Sequence, residues 1–272
     1  CLTAFNSDGF ALGSNGDVNG NTLTYASWNW KANGAGATNQ NGSINTIKTS
    51  ASTASGVSIS TYTGTGSNAT VGHGLGVAPK VVIIKSTTAG EDWTIFHDAI
   101  GATKYLVLNS TGAVGGPSAG PFNNTAPTSS VFSVGTWGST NGSSQTLVAY
   151  CFSEVKGFSK IGSYIGNGSA TLPTFTYLGF KPAFVLIKNT TQADAWFLHD
   201  SKRDGFNDDN EYLRPNLTDA ESSGTNRIRL LSNGFSVPTT DKSHNVSGNV
   251  YIYMAFAENP FVTSTGIPAT AR

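Results

Sequence analysis

Two stretches of the chain, GVAPKVVIIKSTTAGEDW at 76–93 and GFKPAFVLIKNTTQADAW at 179–196, align without a gap. Pro79 matches Pro182, Lys85 matches Lys188 and Trp93 matches Trp196, all at one constant spacing. Each stretch holds a short apolar run, KVVIIK or AFVLIK, bounded by Pro, Gly, Ser and Thr, which is the pattern of a strand buried on both faces. The match extends in both directions. Upstream, Tyr62, Gly64, Gly66 and Ser67 correspond to Tyr164, Gly166, Gly168 and Ser169. Downstream, Phe132, Ser133 and Val134 correspond to Phe235, Ser236 and Val237, and Phe152 and Glu154 to Phe256 and Glu258. An ordered set of landmarks that recurs in order is an internal duplication.

The duplication predicts an all-β chain of tandem β-sandwich units, jelly-roll-like and about 100 residues each, because short strands between frequent turn signals need a second sheet to bury them. The units are placed at 56–156 and 157–261, with 262–272 as a C-terminal tail. Residues 1–31 read as the closing half of a preceding unit, Gly9, Phe10 and Leu12 standing for Gly234, Phe235 and Val237. A permuted boundary, in which the second half of one unit pairs with the first half of the next, is the alternative. Residues 32–55 are Gly, Ala, Ser, Thr and Asn with only Lys48 charged, and predict a linker or a surface-hugging extended arm. No segment carries the pattern of an amphipathic helix.

Composition narrows the function. Gly, Ser, Thr and Asn make up nearly half of the 272 residues, and only 12% are charged, against about 25% in an average globular chain. With 16 basic and 16 acidic residues the net charge is zero, which removes the clustered Lys and Arg that a nucleic-acid partner requires. No apolar run is long enough to insert in a membrane. The first residue is Cys1 rather than Met, as in a fragment or a processed product. Cys1 and Cys151 are too few for a disulfide framework, and Cys151, inside LVAYCF, reads as a small buried hydrophobe rather than a reactive thiol.

Several groups invite a chemical role. His97 with Asp98 and His199 with Asp200 form a repeated pair, readable as metal ligands or an acid–base couple, but more often such a pair ends a strand with Asp accepting turn N–H groups. Asp204, Asp208, Asp209 and Glu211 in DGFNDDNE offer oxygen ligands to calcium, although without the EF-hand pattern, and a solvated loop is the favoured reading. Trp93 and Trp196 are candidates to stack on sugar rings, with core packing favoured. Trp137, Tyr62 and Tyr164 read as the exposed aromatics. Gly64-Thr65-Gly66 and Gly166-Asn167-Gly168 are tight turns, not phosphate loops. Glu91, Asp92, Glu154 and Glu258 are available as a glycosidase pair, and nothing in the sequence singles out two of them. No catalytic, cofactor-binding or metal-binding residue is therefore assigned. The charge-rich loop SKRDGFNDDNEYLRPNLTDAESS is the most distinct surface and the expected place for specificity.

The opening SDGFALGSNGDVNGNTLTYASWNWKA, the block YTGTGSNATVGHGLGVAPKVVIIK, the bridge LVAYCFSEVKGFSKIGSYIGNGS and the closing YIYMAFAENPF together resemble a family of repeat domains in structural and tail-fibre-like proteins of marine bacteriophages. A departure is SATLPTFTYLGF, where the family often has an Asp-Gly-Pro-Phe type turn. The resemblance implies a non-enzymatic virion protein exposed extracellularly, a tail-fibre or appendage domain that gives fibre architecture and adheres to the host surface. Its implied partners are identical subunits in a homotrimer, other virion proteins and a host glycan, with no cofactor. The alternatives are a tailspike-like polysaccharide depolymerase and a purely structural capsid-decoration or filament protein.

Overall fold

Short β-branched runs cut by Gly, Ser and Asn turns satisfy their backbone groups by pairing with one another. In the computed structural model, which describes residues 1–6, 8–203, 211–223 and 226–258, they do so almost everywhere. The chain divides into two compact units, Cys1–Trp30 and Lys31–Arg272.

The small unit is an antiparallel hairpin of β1 (Leu2–Phe5) and β2 (Phe10–Leu12), with Phe5 opposite Phe10. A one-turn helix, α1 (Gly16–Asn19), follows, and the Asn15 side chain caps it by accepting from Asp17 N at 2.8 Å. A lone hairpin has no second layer, so Leu2, Leu23 and Tyr25 stay exposed and Phe5 is 81% exposed.

The large unit holds two face-to-face sheet pairs. Its first half contains β3 (Lys48–Ser52), β4 (Val57–Thr63), β5 (Ala69–Gly72), β6 (Val81–Ser86), β7 (Thr94–His97), β8 (Leu106–Val107), β9 (Val131–Val134), the short helix α2 (Gly138–Asn141) and β10 (Thr146–Phe152). Six strands form one antiparallel sheet in the order β3-β4-β10-β6-β7-β8, and β5 pairs with β9. Tyr62, Val82, Ile84, Phe96, Leu147 and Cys151 from the large sheet meet Val71, Phe132 and Val134 from the small one in a single core. Each such side chain contributes about 1.5–3 kcal/mol by leaving water.

The second half contains β11 (Ser159–Ile165), β12 (Thr174–Tyr177), β13 (Pro182–Asn189), β14 (Trp196–Asp200), β15 (Arg229–Leu231), β16 (Gly234–Val237) and β17 (Val250–Ala257). Its sheets have the orders β11-β17-β13-β14 and β12-β16-β15. The first of these reproduces β4-β10-β6-β7, and the pair β12-β16 reproduces β5-β9. Tyr164, Val185, Ile187, Tyr251, Phe235 and Val237 fill the second core. The halves touch through an edge-on aromatic cluster in which Phe256 meets Phe152 at 6.0 Å and Phe184 at 5.8 Å. That contact covers Phe184 on the outer face of β13, while Val185 and Ile187 face the second core.

Two expectations change. Within 32–55, predicted as linker or arm, β3 is an edge strand along β4, Ile44 enters the first core, and Thr49 Oγ1 lies 2.9 Å from Ser60 Oγ. Hydroxyl groups replace apolar ones at this seam. Tyr62 and Tyr164, expected to be exposed, are buried: strand alternation turns both rings inward, and their O–H groups donate to Thr140 O at 2.5 Å and His244 O at 2.9 Å. The Gly-x-Gly turns that follow need a left-handed second glycine, with φ of 71° at Gly66 and 68° at Gly168.

Candidate functional site

The turn before β7, the start of β8 and the start of α2 converge at one corner of the first half. They enclose a cavity of about 280 Å³ lined by Glu91, Asp92, Thr94, Tyr105, Val107, Trp137, Gly138 and Ser139. Tyr105 and Trp137 meet edge-on, with centroids 4.7 Å apart and planes at 77°. Missing side chains make room for the walls. A Cβ at Gly120 would lie 1.9 Å from the Trp137 Nε1, and one at Gly138 would lie 2.4 Å from a Glu91 carboxylate oxygen.

Second contacts hold the polar groups in place. Asn109 Nδ2 donates to Asp92 Oδ1 at 2.9 Å, while Asn109 Oδ1 accepts from Trp93 N at 2.9 Å. The Lys85 ammonium donates to the Glu91 carbonyl, and Thr94 Oγ1 donates to Ser139 Oγ at 2.8 Å in the buried floor. Among the described residues neither Glu91 nor Asp92 enters an ion pair. An aromatic wall facing carboxylates and hydroxyls suits a polyhydroxylated ligand, whose C–H face packs on a ring while its O–H groups donate to carboxylate.

The structure brings together Glu91, Asp92 and Trp137 of the residues singled out in the sequence. Tyr105 was missed; its only signal is a lone aromatic beside a Gly-rich loop. Trp137, expected exposed, is half-buried in the cavity wall. The other two carboxylates lie elsewhere: Glu154 accepts from Ile161 N at 2.9 Å and pairs with Lys160, and Glu258 pairs with Lys202. Trp196 is 2% exposed and donates through Nε1 to Val107 O at 3.1 Å, so it is core rather than a sugar platform. Trp93 is half-buried and lies along Tyr150 at 6.3 Å. Cys151 is buried and free, and burial pushes its thiol up.

The two His-Asp pairs are not equivalent in space. Val82 pairs with Phe96 and Val185 with His199, so His199 occupies the place of Phe96 and Asp200 that of His97. One residue of slip sends the two imidazoles to opposite sheet faces. His97 Nδ1 accepts from Ala99 N at 3.2 Å and its Nε2–H donates to Tyr253 O at 3.4 Å; burial pushes it down to about 4. Asp98 instead pairs with Lys80 at 2.7 Å. The turn expected of the aspartate occurs at Asp200, which accepts from Lys202 N at 2.9 Å and Arg203 N at 3.0 Å.

At the corner of the second half that matches the cavity, side chains fill the space. Phe197 and Tyr212 pack at 5.3 Å and the Arg227 guanidinium lies 5.0 Å over the Tyr212 ring. His199 Nε2 meets His244 Nε2 at 2.9 Å, and His244 Nδ1 lies 2.7 Å from Ser243 Oγ. Such a contact needs a neutral pair with one donor and one acceptor. Burial, then the positive charge of Arg203 and Arg227, pushes His199 down to about 3, and burial with His199 and Arg227 holds His244 well below its ordinary range. The chain from Ser243 through His244 to His199 is buried, and His199 Nδ1 has no hydrogen-bond partner among the described residues.

Of the charged loop expected to give specificity, Asp204, Asp208 and Asp209 lie outside the described residues. In its described part Arg203 pairs with Asp200 and Glu221, and Arg214 with Asp219. Among the described residues no group of His, Cys, Asp and Glu is arranged to hold a metal ion. A wider groove of about 620 Å³ runs beside Asn33, Thr38, Asn39, Gln40 and Asn41, and its lining has no aromatic or titratable group.

The fold and the cavity define a class: an all-β protein of paired antiparallel sheets with an aromatic and acidic corner cavity. The chain belongs to the family DUF7483, a domain of unknown function, whose model matches residues 1–260. No curated protein and no solved structure matches it.

Proposed function

We propose that the chain is a non-enzymatic domain of a bacteriophage tail fibre or virion appendage, which builds the fibre and adheres to the host surface through the Trp137 cavity. Its two halves are tandem copies of one jelly-roll-like sandwich that arose by duplication. The matched strand orders support this, as does the shared bond from Tyr62 or Tyr164 to the carbonyl at the same corner. Three copies assemble as a homotrimer exposed outside the cell, as the resemblance of the long motifs to phage fibre proteins implies.

One observation carries the adhesion reading. The corner that is plugged by Phe197, Tyr212 and Arg227 in one half is open and lined by Tyr105, Trp137, Glu91 and Asp92 in the other. The cavity is near the lower end of small-ligand sites, which run from about 300 to 1,000 Å³, and suits a single sugar unit of a surface glycan. Consecutive residues of one turn supply both carboxyl groups, whereas glycoside hydrolysis places them across the scissile bond from each other. Binding is therefore favoured over depolymerisation.

A glycan array and host-cell binding by the purified chain test this. Trp137→Ala is expected to weaken retention at least tenfold without changing thermal stability by more than a few degrees. Equal binding by Trp137→Ala would overturn the site, and chain shortening of host polysaccharide by the wild type would favour the enzyme.

A further inference from the structure

Within the chain, the segment after β8 is a plug for the second half. Trp196 Nε1 donates to Val107 O at 3.1 Å, the Lys188 ammonium to Thr111 O at 3.1 Å, and Asp194 N to the same Thr111 O at 2.8 Å. Val114 N in turn donates to Thr190 O at 3.1 Å. Lys188 is fully buried by this joint, and burial pushes it down to about 8.

Both halves of the joint occur a second time. The plug YLVLNSTGA, residues 105–113, matches YLRPNLTDA, residues 212–220. The match is structural as well: Trp93 N donates to Asn109 Oδ1 at 2.9 Å, and Trp196 N to Asn216 Oδ1 at 2.9 Å. Leu106 bridges Ile95 as Leu213 bridges Leu198. On the receiving side, Lys85 donates to Glu91 O as Lys188 donates to Asp194 O.

These second copies are unfilled. Leu217 is 39% exposed, and Thr218, Asp219 and Ala220 are exposed. On the first half Thr87 is exposed, Trp93 is half-buried, and its indole N–H has no acceptor among the described residues. A Trp N–H that becomes covered normally finds a carbonyl, and the filled joint shows which one this surface takes.

We infer that the 214–220 loop of one chain docks on the Lys85–Trp93 surface of a second copy, repeating between chains the joint already made within one. The inference rests on the tandem-copy reading and not on glycan binding. Trp93 Nε1 donates to Arg214 O of the second copy, and Lys85 with Glu91 N converges on its Thr218 O. The docking patch and its target are different surfaces, so the contact is head-to-tail. It closes into a ring if three rotations complete a turn and otherwise builds a filament.

Sedimentation velocity over a concentration series of the wild-type chain should show self-association. Trp93→Ala, and separately Leu217→Asp on the exposed loop, should each weaken it at least tenfold. Mixing the two variants should restore a dimer and nothing larger, because one intact loop meets one intact surface. A wild type that stays monomeric at about 100 µM overturns the inference, as does association that neither variant affects. Trp196→Ala reports on the tandem-copy reading itself. If hydrogen exchange at Val114 fails to rise in that variant, the filled joint is not the interaction described and the equivalence falls with it. Glycan retention by Trp93→Ala should match wild type, keeping the two proposals separable.

Discussion

The corner beside β7 and the corner beside β14 share a frame and differ in what stands on it. Tyr62 and Tyr164 donate to the backbone at the same place, and Asn141 and Asn245 each hold the following Gly-x-Gly turn through Oδ1 at 2.8 and 2.9 Å. Around that frame, Thr94 gives way to Phe197, Phe96 to His199 and Thr140 to His244. The first corner opens into a cavity; the second closes over a neutral imidazole pair under Arg227. Strand order is thus set by residues the halves share, while the corner chemistry is free to diverge because few strand contacts depend on it.

The largest contrast should come from the matched tryptophans. Trp196 is buried and bonded to Val107 O, so Trp196→Ala should cost about 3–5 kcal/mol, the range for a buried Trp that leaves a cavity. Trp93→Ala should cost about 1 kcal/mol, since its ring is only partly buried. Urea unfolding of the two variants measures both. Equal losses would mean that the Trp196 surface is not a joint.

The second contrast is acid sensitivity. Unfolded imidazoles take a proton near 6.5, whereas folded His97 does so at about 4 and His199 at about 3. The unfolded chain therefore binds more protons between those limits. Stability is fully present above pH 6.5 and falls as pH drops, by about 1.4 kcal/mol per pH unit for each imidazole. Replacing the pair by the residues of the other corner, His199→Phe with His244→Thr, should flatten the decline between pH 6.5 and about 4.5, leaving the shares of His97 and of His73, which burial also pushes down. An unchanged slope in urea-monitored stability would show that the pair titrates freely. Asp200, held down by Arg203 and two backbone N–H bonds despite its burial, adds a loss only at lower pH.

What could be read in advance follows from range along the chain. KVVIIK and AFVLIK announced strands because β-branched residues between turn formers act locally, and the ordered landmarks located both sheets. The cavity was legible only in pieces, since Glu91, Tyr105 and Trp137 meet through the fold and no spacing encodes that meeting. His97 and His199 misled for a simpler reason. Each follows a matched Trp, but by four residues in one case and three in the other, and a strand converts that difference into opposite faces. The hydroxyl-rich stretch 32–55 has little apolar surface to bury, yet it packs through hydroxyls: Thr46 is buried, and its Oγ1 accepts from Asn39 N at 2.8 Å and from Thr49 Oγ1 at 2.9 Å.

The smallest effect should also be the most even. Tyr62→Phe and Tyr164→Phe each remove one O–H bond to a buried carbonyl, at Thr140 and His244, and leave the ring in place. A hydrogen bond of this kind contributes about 1 kcal/mol net, with the unpaired carbonyl adding to the cost if water is excluded. The two losses should agree within about 0.5 kcal/mol despite the different corners, because the bond belongs to the shared frame. A clearly larger loss at Tyr164 would mean that the His199–His244 pair leans on that carbonyl's position and that frame and filling are coupled. A double cycle of Tyr164→Phe with His199→Phe then measures that coupling directly.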